Sequence, residues 1–169
     1  MRLYLMRHAD AVPHGTAGFT RDAQRPLTAE GRAQARGVAQ GLKRLKVELG
    51  TVLTSPYVRA VQTAEEFVGA WGARLPIKEL DALRAEVQPE VTSLALKRAE
   101  MDGDPLLVGH EPHLSAWIAE LVSSTGHAQC LMKKAGVACV EIERIPPTRG
   151  SGTLRWLMTP KQLMMLGGV

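Results

Sequence analysis

Short apolar and β-branched runs punctuate the chain at residues 3–6, 51–54 and 105–109, with a weaker one at 77–80. Runs of this length without polar alternation predict strands buried on both faces, as in a parallel sheet. Between them the pattern takes the helical period. Thr28 predicts an N-cap for a helix reaching about residue 46, with Ala35, Val38, Ala39, Leu42 and Leu45 on one face. Ser55-Pro56 predicts a second start, Ser55 as N-cap and Pro56 at the first helical position. The stripe Ala60, Val61, Ala64, Phe67, Val68 and Trp71 follows it. Residues 89–100 predict a third helix with Val91, Leu94 and Ala95 inward, and Pro112 opens a fourth carrying Leu114, Trp117, Ile118 and Leu121. Residues 136–145 and 152–158 read as closing strands joined by a Pro/Gly-rich turn.

Short strands alternating with helices predict an α/β fold, a three-layer sandwich whose mostly parallel central sheet carries helices on both faces. The length of 169 residues fits one domain, 1–169, and the sequence contains no repeat, linker or low-complexity tract. Residues 9–26, rich in Gly, Pro, Ala and Asp, form a loop of a length that is uncommon in compact domains and often functional there. No apolar run approaches the span of about 18 residues that a membrane helix needs, and the charged N-terminus leaves no room for a signal-peptide core. Cys130 and Cys139 match neither a disulfide framework nor a zinc pattern and read as small hydrophobes. The expected setting is the cytoplasm.

Charge adds one asymmetry. Residues 1–60 hold ten Lys/Arg against four Asp/Glu, and the remainder eleven against thirteen, so a net +4 is concentrated in the first third. Arg32, Arg36, Lys43 and Arg44 place much of that excess on the first helix, where a solvated face explains it. An anionic partner is the other reading. Nucleic acid fits poorly, because seven aromatic residues offer few stacking platforms and no recognition motif is present.

The chemistry collects at strand ends. The first predicted strand ends in Arg7-His8, the second leads to Arg59 near a helix start, and the fourth ends in Gly109-His110. Ligands of open α/β sheets bind beyond the carboxyl ends of the strands. Two guanidinium forks and a helix start suit an oxyanion, and a neutral imidazole among them can act as a nucleophile on phosphorus. The competing arrangement, a metal held by His8, His110, His113 and Asp10, sits badly with two arginines in the same pocket. His14 and His127 read as loop histidines. His113 reads equally as a partner that orients His110 and as a helix-surface residue. Met158, Met164 and Met165 read as core or surface filler.

Arg7-His8-Ala9-Asp10 after a hydrophobic strand resembles the Arg-His-Gly signature of the histidine phosphatase (phosphoglycerate mutase-like) superfamily. Arg25-Pro26-Leu27-Thr28-Ala29-Glu30-Gly31, Ser55-Pro56-Tyr57-Val58-Arg59-Ala60-Val61-Gln62-Thr63 and Gly109-His110-Glu111-Pro112 resemble its other three blocks, in order. The short length and the Trp156-Leu157-Met158-Thr159-Pro160 ending look most like the bacterial phosphohistidine phosphatases of SixA type. The resemblance implies a phosphatase in which His8 becomes phosphorylated while Arg7, Arg59 and His110 bind the phosphate, with no metal or other cofactor. Its implied partner is a phosphohistidine-bearing protein or, alternatively, a small phosphate ester. Ala9 stands where the family usually has Gly. No room remains between Trp71 and Pro105 for a cap domain carrying a proton donor. Asp10, Glu86 and Glu111 are the carboxylates near the motifs, and each reads first as solvated or structural.

Overall fold

The computed structural model describes residues 1–125 and 127–168. A single six-stranded sheet is ordered β3-β2-β4-β1-β5-β6. Here β1 is Arg2–Arg7, β2 Thr51–Thr54, β3 Ile77–Glu79, β4 Pro105–Gly109, β5 Val137–Glu141 and β6 Thr153–Met158. The first four in that order pair in parallel, and β5 and β6 add an antiparallel edge. Side-chain alternation splits the core in two. Tyr4, Met6, Val52, Leu106 and Val108 point into one cluster, and Leu3, Leu5, Leu53 and Leu107 into the other. Helices α1 (Ala29–Arg44), α2 (Val58–Trp71) and α5 (Pro160–Gly167) cover the first cluster; α3 (Pro89–Leu96) and α4 (His113–Val122) cover the second. The three layers predicted from the sequence are present, and among the described residues no cap is inserted.

Thr28 caps α1 as its sequence predicts, its hydroxyl accepting from the Gly31 N–H at 3.0 Å. Gly31 is required for a second reason: a Cβ there would lie 1.9 Å from the Asp10 carbonyl oxygen, so only glycine lets the helix start this close to the end of the His8 loop. The second helix departs from its expected start. It begins at Val58, two residues later than Ser55-Pro56 implies, because the Ser55 hydroxyl bonds the His110 ring. The third departs more. It ends at Leu96, and its buried residues are Thr92, Ser93 and Leu96, with Val91 and Leu94 turned to solvent. The reason is polar: Thr92 Oγ1 donates to the Ala82 carbonyl at 2.7 Å and meets His113 Nε2 at 2.8 Å, while Ser93 Oγ accepts from the Trp117 indole at 2.8 Å. His113 is therefore a core residue and not a helix-surface one. The C-terminal methionines lie on or beside α5, which Thr159 starts with a capping box and which packs on α1.

Candidate active site

Strand register assembles the site. Arg7 pairs with Gly109 across β1/β4 and Thr54 with Val108 across β2/β4, so the three strands end level. The next residues are His8, His110 and Ser55. Two further backbone bonds, His8 N–H to the Gly109 carbonyl and Ser55 N–H to the Val108 carbonyl, both 2.9 Å, extend that alignment past the strands. The His8 and His110 rings lie 5.2 Å apart between centroids, and the Tyr57 ring lies 4.9 Å from His110. Arg59, buried in the first turn of α2, has its guanidinium carbon 5.1 Å from the Tyr57 centroid. The structure thus gathers Arg7, His8, Arg59 and His110 at the carboxyl ends of the strands.

Both imidazoles have defined proton positions. His8 Nδ1 is 2.8 Å from the Ala9 carbonyl, and a carbonyl only accepts. The neutral ring therefore carries its proton on Nδ1 and presents Nε2 as a lone pair. His110 Nε2 faces Ser55 Oγ at 2.8 Å, and that oxygen accepts the Tyr57 N–H at 3.4 Å. The Ser55 hydroxyl has no other acceptor among the described residues, so its hydrogen is assigned to Nε2 and the His110 proton to Nδ1, a buried atom with no protein partner. Burial pushes His8 down to about 3, with Arg59, Arg7 and Arg25 adding to it against an upward pull from the Ala9 carbonyl. His110 falls to about 2 through burial and the charges of His8 and Arg59.

The arginines are held from behind. Arg7 Nη1 donates to the Met132 carbonyl at 2.9 Å; Arg59 donates to the Asp22 carbonyl at 2.8 Å and to its carboxylate at 2.9 Å. Asp22 also binds Arg25, whose Nη1 reaches the Val12 carbonyl at 2.6 Å. This Asp22–Arg25–Arg59 tie fastens the long loop to α2, and it is the part of the site that motif reading missed. Its signal was available: Asp22 is one of few acids in a basic region, and Arg25 opens the Pro-Leu-Thr block. Arg7 Nε and Arg59 Nε remain buried without partners. With His110 Nδ1 they make three orphaned buried N–H groups on the residues gathered with His8 at the strand ends.

The loop carrying His8 is pinned by side chains where the sheet ladder ends. Thr63 Oγ1 accepts the Ala9 N–H at 3.0 Å and donates to the Arg59 carbonyl at 2.6 Å, and Gln34 Oε1 accepts the Asp10 N–H at 3.2 Å. The Ala9 methyl packs into the core under α1 and α2. A Thr63→Val variant keeps the shape but strands a buried N–H. It should lose about 1–3 kcal/mol of stability in urea unfolding, and unchanged stability would show the hydroxyl to be dispensable.

The remaining candidates separate. Burial pushes Asp10 up, but hydrogen bonds from Lys134 and Thr28 and the Lys134 charge outweigh it and hold the carboxylate ionised. Glu86 is exposed and accepts the Tyr57 hydroxyl at 2.9 Å. Burial raises Glu111, against a bond from Ser115 Oγ and the Arg7 charge. Of the four residues considered as metal ligands, His113 faces Thr92 and Asp10 is paired with Lys134. Among the described residues no group of three His, Cys, Asp or Glu converges. His14 is exposed on the rim of a cleft of about 480 Å³ lined also by Arg7, His8, Asp10, Arg25 and Lys134, and His127 is exposed elsewhere. Cys139 is buried and Cys130 half-buried.

Three buried neutral histidines make stability depend on acid. His8, His110 and His113 (about 4, through burial) all lie below the ordinary histidine value, so the unfolded chain binds more protons than the folded one below pH 6.5. Stability present above that pH is lost as pH falls, at roughly 2 kcal/mol for each histidine between pH 7 and 5. Urea midpoints in phosphate-free buffer should drop accordingly, less steeply in His113→Gln; a flat profile would contradict the burial assigned to these rings.

A strand-end pocket of buried guanidinium and imidazole groups on this sheet matches a known class. The family model of the histidine phosphatase superfamily (branch 1) matches residues 3–88, and the chain belongs to that superfamily. Phosphohistidine phosphatase SixA of Escherichia coli (strain K12) is 34% identical over 175 aligned positions that cover 98% of each chain. The structure of the protein histidine phosphatase SixA complexed with tungstate superimposes with a TM-score of 0.80 at 30% identity, covering 96% of this chain and 99% of that one. The alpha-ribazole phosphatase from Shigella flexneri shares the fold, with a TM-score of 0.67 at 21% identity and coverage of 95% and 97%. The protein is thus an enzyme of the phosphatase class, homologous to SixA. Among the described residues no helix is long and apolar enough to cross a membrane.

Proposed function

We propose that this single-domain enzyme removes the phosphoryl group from phosphohistidine on a protein, through a phosphohistidine intermediate at His8 and without metal. The observation that carries the reading is a set of orphaned buried donors at the strand ends, Arg7 Nε, Arg59 Nε and His110 Nδ1, on the residues gathered with a histidine whose only free nitrogen is Nε2. Buried donors without partners are costly unless a ligand satisfies them, and these are cationic or neutral donors suited to phosphoryl oxygens. The SixA structure complexed with tungstate, a tetrahedral oxyanion, supports the same choice of ligand.

The His8 Nε2 lone pair attacks phosphorus, and the P–N bond to the substrate breaks with its electron pair leaving on the substrate nitrogen. An imidazole protonated on its distal nitrogen departs neutral, so this step needs no donor from the enzyme. Arg7, Arg59 and His110 hold the equatorial oxygens as charge redistributes. Water then attacks the phosphorylated His8, the pair returns to Nε2, and phosphate leaves. Asp10 stays ionised and paired, and Glu111 is the carboxyl that burial keeps protonated more readily. The absent cap leaves the His8 cleft open, as a phosphate displayed on a protein surface requires. A cytoplasmic setting suits the free cysteines.

The test compares kcat/KM on histidine-phosphorylated proteins with kcat/KM on small phosphate esters. Preference for the phosphoproteins, unaffected by chelators, is expected. A higher rate on small esters would assign the enzyme to small-molecule phosphomonoester hydrolysis instead.

A further inference from the structure

Helix α3 buries Leu96 but turns the rest of its apolar face outward. Its sequence offers Val91, Leu94 and Ala95 as an apolar face, yet Val91 and Leu94 are 52% and 62% exposed while Thr92 and Ser93 are buried. The inversion is fixed by the bonds of Thr92 to His113 and Ala82 and of Ser93 to Trp117, so it is a property of the core and not of a loose helix. A surface that breaks the apolar-in rule while the core side is fixed by three side-chain hydrogen bonds marks a place that something else covers.

The exposed face has shape and direction. Val91, Leu94 and Ala95 line a groove of about 680 Å³ with Leu80 and the edge strand β3. A second depression of about 530 Å³ shares Leu80, Val91 and Ala95 and continues through Val87 to Glu86. Glu86 accepts the Tyr57 hydroxyl, and Tyr57 lies against His110. The apolar surface therefore ends at Glu86, one side chain (Tyr57) away from His110. Its rim is balanced in charge: Lys78 pairs with Glu100 and Arg84 with Asp81, and Lys97 and Arg98 are matched by Glu79 and Glu86. A neutral rim around an apolar floor fits a protein and not a nucleic acid, whose binding needs net positive charge. Nearness to Tyr57 and His110 favours the phosphoprotein substrate over a second copy, which has no need of a surface beside the site.

We propose that the α3–β3 groove is a docking surface for the phosphoprotein substrate, which seats an apolar helix face there beside its phosphohistidine. The proposal rests on the phosphohistidine reading above.

Val91→Glu and Leu94→Glu test it, with Val91→Ala and Leu94→Ala as milder variants should the glutamates disturb folding. The substrates are proteins phosphorylated on surface histidines with potassium phosphoramidate, and phosphoramidate itself. Docking predicts that kcat/KM on the proteins falls about tenfold or more, mainly through KM, while hydrolysis of phosphoramidate is unchanged. Equal activity of variant and wild type on the phosphoproteins overturns docking alone. So does a wild-type dimer in sedimentation that Leu94→Glu separates without changing KM. A wild-type enzyme that hydrolyses small esters but leaves phosphohistidine proteins intact overturns the phosphohistidine reading, and docking with it.

Discussion

Replacing His8 with Ala is expected to abolish turnover, a loss of about 10⁴-fold or more. No neighbour can substitute. The His110 Nε2 atom is committed to Ser55 and its Nδ1 carries a proton, so that ring has no lone pair facing the cleft. His14 is an exposed loop residue on the rim. The fold should survive, because the variant loses one short bond to the Ala9 carbonyl and removes a ring whose desolvation is unfavourable. Stability measured at pH 5 should even gain relative to wild type, since one depressed histidine no longer titrates. An inactive enzyme with that pH signature separates chemistry from unfolding. Turnover within tenfold of wild type would remove His8 from the nucleophile's role.

Replacing Arg59 with Met should lower kcat/KM by about 10³-fold, roughly 4 kcal/mol of transition-state stabilisation. Arg59 acts in two ways at once. Its Nε is a buried donor left for the ligand, and its terminal nitrogens anchor the 9–26 loop through Asp22. Arg59→Lys keeps the charge but loses the fork, and should remain about 10²-fold down. Asp22→Asn loosens the anchor while leaving the guanidinium, and is expected to cost less than either. These three variants in one kcat/KM series distinguish phosphate contact from loop anchoring. If Asp22→Asn matched Arg59→Met, the anchor would be the larger contribution, and Arg59→Met within threefold of wild type would contradict both.

Much of the site was legible because strand ends are local in sequence. Arg7-His8 and Gly109-His110 each follow an apolar run, and the parallel register that puts them side by side follows from the alternation of strands and helices. What escaped was decided by tertiary hydrogen bonds. Ser55-Pro56 has the composition of a helix start, but the serine is spent on His110 and the helix begins at Val58. Val91 and Leu94 have the spacing of a core face, but Thr92 and Ser93 win the inside because His113 and Trp117 present them with partners there. The basic face of α1 looked solvated, yet Arg32 and Arg36 both grip Glu66 of α2 and so tie two helices together. Periodicity cannot report such pairings, since each joins residues far apart in the chain. The charge excess of the first 60 residues is therefore divided between structural ties, the Arg7 and Arg59 donors of the site and exposed residues such as Lys43 and Arg44.

The intermediate itself is the most direct measurement. Enzyme mixed with a histidine-phosphorylated protein and quenched in alkali within one turnover should carry one phosphoryl group, located at His8 by ³¹P NMR and peptide mass spectrometry, stable in base and lost in acid. A phosphoryl group on any other residue, or turnover with no phosphoenzyme under conditions that trap the substrate's own phosphohistidine, would contradict covalent catalysis at His8.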